Sequence, residues 1–66
     1  MDKEEYEVLK AKFLKLFANV PLPLRHEIIA LVNNQPISWT AAYGEIMHYT
    51  DKSQDILTHL KQIGLL

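Results

Sequence analysis

Glu27-Ile28-Ile29-Ala30-Leu31-Val32-Asn33-Asn34-Gln35-Pro36-Ile37-Ser38-Trp39 is the stretch on which the fold turns. Residues 28–32 are all apolar and partly β-branched, a run too short for periodicity to separate a buried strand from a turn or two of helix. The flanks must decide. Asparagine tolerates positive φ better than most residues, and a two-residue hairpin turn demands it at both positions, so Asn33-Asn34 reads as a tight reversal. Gln35 to Trp39 then supplies a returning strand with β-branched and aromatic residues. Pro36 belongs at an edge position of such a strand, having no N–H to give to a ladder. Against this, Pro23 suits the first turn of a helix and Asn33 its C-terminal cap. The alternative is therefore an all-α four-helix bundle with residues 22–33 helical. The hairpin is the favoured reading. The expected class is α+β, a helix, a β-hairpin and two further helices in one domain spanning residues 1–66.

Upstream, Tyr6, Leu9, Phe13, Leu16, Phe17 and Val20 recur at spacings of three and four, which places them in one stripe of a helix running from Asp2 to Asn19. Asp2 with Glu5 resembles a capping box, and Lys10, Lys12 and Lys15 lie toward the end where the helix dipole favours cations. Pro21 and Pro23 stop the helix. Val8, Ala11, Leu14 and Ala18 make a second apolar strip on another side, more than a free surface needs.

Downstream, Trp39, Ala42, Tyr43, Ile46 and Met47 return to helical spacing, with Ser38 or Thr40 as the cap. Gly44 inside this helix costs about 1 kcal/mol relative to alanine, which suggests close approach of another backbone, that of the first helix. A last helix opens near Thr50 or Asp51 and turns Ile56, Leu57, Leu60 and Ile63 inward until Gly64 ends it. Leu65 and Leu66 are expected to fold back onto its final turn. A two-stranded ribbon is weak in isolation, so either the first and last helices cover its apolar face or a second copy of the chain extends its sheet. The segment Val32-Asn33-Asn34-Gln35-Pro36-Ile37-Ser38-Trp39, running into Thr40-Ala41-Ala42-Tyr43-Gly44-Glu45-Ile46, resembles small uncharacterised archaeal proteins of similar length. That resemblance implies a hairpin feeding a helix and carries no activity, cofactor or site residue with it.

Composition narrows the function classes. Of 66 residues 48% are hydrophobic and 23% charged, the balance of an ordinary globular domain. Without cysteine there are neither disulfides nor thiolate metal sites. The first residues, Met1-Asp2-Lys3-Glu4-Glu5, do not read as a signal peptide, and no apolar run nears the ~20 residues that span a bilayer. The expectation is a cytoplasmic protein with no membrane contact. Asp55 and His59 at i,i+4 are only two metal-ligand types, and His26 and His48 add no recognised spacing, so no metal is expected. Ser38, Thr40, Ser53 and Thr58 sit in no nucleophile elbow, and two glycines are too few for a phosphate loop. Hence no catalytic residue, no cofactor and no small-molecule substrate are expected.

What remains is binding. Apolar surplus points to a protein-interaction module that self-associates as a homodimer or takes a protein partner through the second strip of the first helix or the free edge of the hairpin, with Val8 and Leu14 of that strip, and Trp39 at the end of the ribbon, as contact candidates. From a different class comes a nucleic-acid-binding accessory protein, its last two helices resembling a helix-turn-helix pair. Lys10, Lys12, Lys15 and Arg25 would be its phosphate contacts. Seven Lys and Arg against eight Asp and Glu, a net charge of -1, argue against that reading, because no overall field draws the chain to a polyanion.

Overall fold

The computed structural model describes residues 1–66 as helix α1 (Lys3–Ala18), one 3₁₀ turn (Leu22–Leu24), strands β1 (Ile28–Val32) and β2 (Gln35–Ser38), and helices α2 (Trp39–Met47) and α3 (Asp51–Gln62). The class is α+β in the order helix, hairpin, helix, helix. Of the alternative helix over residues 22–33, only the 3₁₀ turn exists. The asparagines decide this as expected: Asn33 has φ 51° and Asn34 φ 67°, both left-handed. A two-residue loop with both φ positive is a type I′ turn, whose twist matches that of the strands it joins.

The pairing is antiparallel, with Val32 opposite Gln35, Leu31 opposite Pro36, Ala30 opposite Ile37 and Ile28 opposite Ser38. The step from Ala30 to Ile28 passes over Ile29, a β-bulge. Beyond it the faces no longer alternate strictly: Ile29 and Ala30 are both half-buried, while Ile28 and Leu31 both point to solvent. Val32 and Ile37 supply the ribbon's fully inward contacts.

The inner face of the hairpin is covered by two helices, β1 lying against α3 and β2 against α2. This corrects the expected cover by the first helix, and the cause is connectivity. Ser38 ends β2 and caps α2, its Oγ accepting the Ala41 amide at 3.1 Å, so α2 starts where the strand stops and must lie beside it. A tie from the other side comes from Asn33, whose Nδ2 donates to Asp55 Oδ2 on α3 at 3.3 Å. Helix α1 packs against α2 and α3 instead. Its N-cap Asp2 accepts the Glu5 amide at 2.7 Å.

The common core consists of Tyr6, Leu9 and Phe13 of α1, Val32 and Ile37 of the hairpin, Ala42 and Ile46 of α2, and Ile56, Leu57 and Leu60 of α3. Ile63 is not part of it, contrary to its helical spacing, because α3 ends at Gln62 and Ile63 is the C-cap, more than half exposed. Gly64 follows at φ 85°, its amide donating to the Lys61 carbonyl while the Leu65 amide returns to Leu60. These two bonds form a Schellman motif, which positive φ permits. They return Leu66 to the core margin.

Gly44 has a different explanation from the expected one: a Cβ built there meets nothing within 4 Å. No close backbone requires the glycine. Gly44→Ala should therefore stabilise the domain by about 0.5–1 kcal/mol, through helix propensity and a less flexible unfolded chain, read as an upward shift of the denaturation midpoint at constant m-value. A fall in the midpoint would show that the position is constrained after all.

The accessible surface is 4370 Å² for 7.7 kDa. That is close to the ~4,300 Å² expected of a folded monomer of this mass. The chain closes on itself, and any association is added to a finished fold.

Candidate interaction surface

Closure of the core leaves apolar side chains outside it, and they are unevenly placed. Of the ten large hydrophobic residues that remain exposed, Leu22, Leu24, Ile28 and Leu31 fall within ten consecutive positions. Leu31 is 60% exposed, Ile28 56% and Leu22 71%. The Glu27 amide donates to the Leu24 carbonyl at 3.1 Å, which holds the end of the 3₁₀ turn within one turn of Ile28. Pro36, directly opposite Leu31, is exposed too. The outer face of the hairpin thus presents Ile28, Leu31 and Pro36 to solvent.

The three residues expected to meet a partner lie elsewhere, and in different settings. Val8 is half exposed on α1. Leu14 and Trp39 are only partly accessible and pack against the core. Trp39 faces the Phe13 ring at 5.7 Å, the first contact of a row that continues to Phe17 at 5.9 Å and to Tyr43 at 4.5 Å. The row joins α1 to α2, so these rings hold the fold together rather than stand free.

Of the four cations expected to face phosphate, two are engaged within the fold. Arg25 donates from Nε to the Val20 carbonyl at 3.1 Å and from a terminal nitrogen to the Phe17 carbonyl at 3.4 Å, with its guanidinium 4.3 Å above the Phe17 ring. It closes the end of α1, whose last carbonyls need donors. Lys10 donates to the Tyr49 hydroxyl at 2.7 Å. Lys12 and Lys15 stay exposed on α1.

Tyr49, one of the aromatics that cluster after the hairpin, has a capping role that its sequence context does not announce. It follows the C-cap of α2 at φ 53°, with its own amide directed to the Ile46 carbonyl and that of Thr50 to Glu45. That is a second Schellman motif, built on tyrosine where glycine is usual, and a bulky side chain in the left-handed region costs about 1–2 kcal/mol. The side chain offsets this. Its ring stacks on Tyr6 at 5.1 Å, and its hydroxyl donates to Glu7 Oε2 at 3.0 Å while accepting from Lys10. Tyr6 in turn donates to the Ile46 carbonyl at 2.8 Å. The α2–α3 corner is thereby fixed onto α1, beside a shallow depression of about 330 Å³ lined in part by Asp2, Tyr6, Glu7 and Tyr49.

The hydrogen bond that Lys10 donates to Tyr49 raises the Lys10 pKa above its ordinary 10.5, against the opposing effect of desolvation. A cation whose pKa is raised on folding stabilises the fold below its unfolded value, and that contribution is lost as pH rises through the folded one. Lys10→Met should accordingly be less stable than the parent at neutral pH. The difference should shrink above about pH 10.5 as the parent's lysine deprotonates. Thermal midpoints of both proteins from neutral to strongly alkaline pH check this; a constant gap would remove the charge from the explanation.

No group of three or more His, Cys, Asp or Glu is placed to hold a metal ion. Asp55 is occupied by Asn33, and His48 Nδ1 lies 2.7 Å from the Gly44 carbonyl. No helix is long and apolar enough to cross a membrane. No family model, curated protein or solved structure matches the chain. Function must then be argued from the surface itself.

Proposed function

We propose that this protein is a non-catalytic interaction module that self-associates through the outer side of its hairpin. The observation that carries the reading is the exposure of Ile28 and Leu31 on one strand of the ribbon, with Leu22 and Leu24 also uncovered in the 3₁₀ turn that precedes it. A two-stranded sheet is marginal with one face in water, and an apolar outer face gains from cover that the chain itself does not supply. The strip on α1 is the weaker candidate, since Leu14 already packs against the core. A cysteine-free chain gains nothing from an oxidising compartment, which favours a cytoplasmic setting.

Sedimentation equilibrium tests the reading. Because the fold is complete as a monomer, the interface is expected at the small end, about 600 Å² per protomer or roughly a seventh of the surface. The apparent mass should rise from 7.7 kDa toward twice that as concentration increases. A mass fixed at one chain up to about 1 mM, where even weak complexes assemble, would sink self-association.

A further inference from the structure

The two strands differ in what their free sides offer. In a two-residue hairpin the flanking pair is hydrogen-bonded, and bonded and non-bonded pairs then alternate along the ladder. Val32 and Gln35 are therefore a bonded pair, Leu31 and Pro36 a non-bonded one, and Ala30 and Ile37 bonded again. Pro36 agrees with this assignment, since it has no N–H with which to bond across the ribbon. The backbone groups of Leu31 and Pro36 consequently point away from each other. On the β2 side the donor is missing, which blunts that edge. On the β1 side the Leu31 N–H and C=O are both present, and none of the backbone or side-chain hydrogen bonds formed outside the helices and the ladder engages either group.

We infer that β1 pairs antiparallel with β1 of a second copy about a two-fold axis through Leu31, giving a four-stranded sheet in the order β2-β1-β1-β2. This rests on the self-association proposed above and names its geometry. An antiparallel two-fold at Leu31 sets the residue opposite itself, so each Leu31 amide donates to the other's carbonyl and both open groups are satisfied at once. The strand is suited to its own image. Ile28–Val32 contains no charge, so no like charges are opposed across the axis. The two Leu31 side chains, each 60% exposed, become neighbours on the outer face. The bulge at Ile29 bends the start of β1 and confines regular pairing to the segment around Leu31, which keeps the interface small.

Two variants that leave the internal ladder untouched test this. Leu31→Lys places two cations opposite each other across the axis on an exposed side chain. A synthetic chain carrying an N-methyl group on the Leu31 amide removes the outward donor and leaves the side chain unchanged. Sedimentation of all three proteins from about 10 μM to about 1 mM should show the parent dimerising and both variants weakened at least about tenfold. Hydrogen exchange at the parent's Leu31 amide should slow as concentration rises. Should the parent dimerise while the N-methyl chain does so equally well, backbone pairing through β1 is overturned and self-association stands. A parent that remains at 7.7 kDa throughout overturns the self-association as well. Circular dichroism confirms that each variant is folded, and if Leu31→Lys is not, the N-methyl chain decides.

Discussion

Phe13→Ala should remove about 3–5 kcal/mol, roughly a third or more of the fold's stability. Phe13 is fully buried and stands in the middle of the ring row, with Trp39 on one side and Phe17 on the other. Removing it forfeits the transfer free energy of the ring and opens a void that two large neighbours fill only partly, a cost of about 3–5 kcal/mol. A chain of this length has roughly 3–10 kcal/mol of stability in total. Each 1 kcal/mol is worth about 4–8 °C of melting temperature in so small a domain, so the transition should move down by at least about 12 °C or vanish. Urea denaturation at low temperature gives the magnitude where heat cannot. A loss below about 1.5 kcal/mol would mean that Trp39 and Phe17 close over the gap and that the row is not a rigid seam.

Ile46→Ala is expected to cost about 2–5 kcal/mol, and by two routes. The side chain is fully buried in the core of α2, and its carbonyl accepts the Tyr6 hydroxyl that ties α2 to α1. A cavity beside that carbonyl loosens the geometry of a buried hydrogen bond, whose loss adds about 1–3 kcal/mol when a partner is left unsatisfied. Combination with Tyr6→Phe separates the routes. If the hydrogen bond is lost with the isoleucine, the two changes together cost less than their sum; strict additivity would show that the bond survives the cavity.

Much of the architecture could be read from the chain because its strongest signals are local. The paired asparagines carry the reversal in their own conformational preferences, and the spacings of Tyr6, Leu9 and Phe13 or of Ile56, Leu57 and Leu60 carry the helices. Errors arose where the deciding contact is distant. Ile63 has the spacing of an inward residue, but the helix stops one residue earlier. Gly44 looks like a packing glycine and faces open space. The bulge at Ile29 leaves no mark in a run of apolar residues, so which of them turn outward could not be told. Lys10 and Arg25 resemble free surface cations until Tyr49 and the end of α1, 39 and 8 or fewer positions away, are brought beside them. The capping role of Tyr49 was hidden because a left-handed cap normally announces itself by glycine.

If two copies pair through β1 as inferred above, Pro36 also sets how far assembly can proceed. A ribbon able to recruit strands along both flanks is a monomer in the polymer chemist's sense, bifunctional and free to grow into fibrils without limit. In the dimer inferred above, the imino ring would make this one monofunctional, and growth would terminate after a single coupling. Restoring the missing donor with a β-branched residue, as in Pro36→Thr, would remove the chain terminator and expose the protein to open-ended polymerisation.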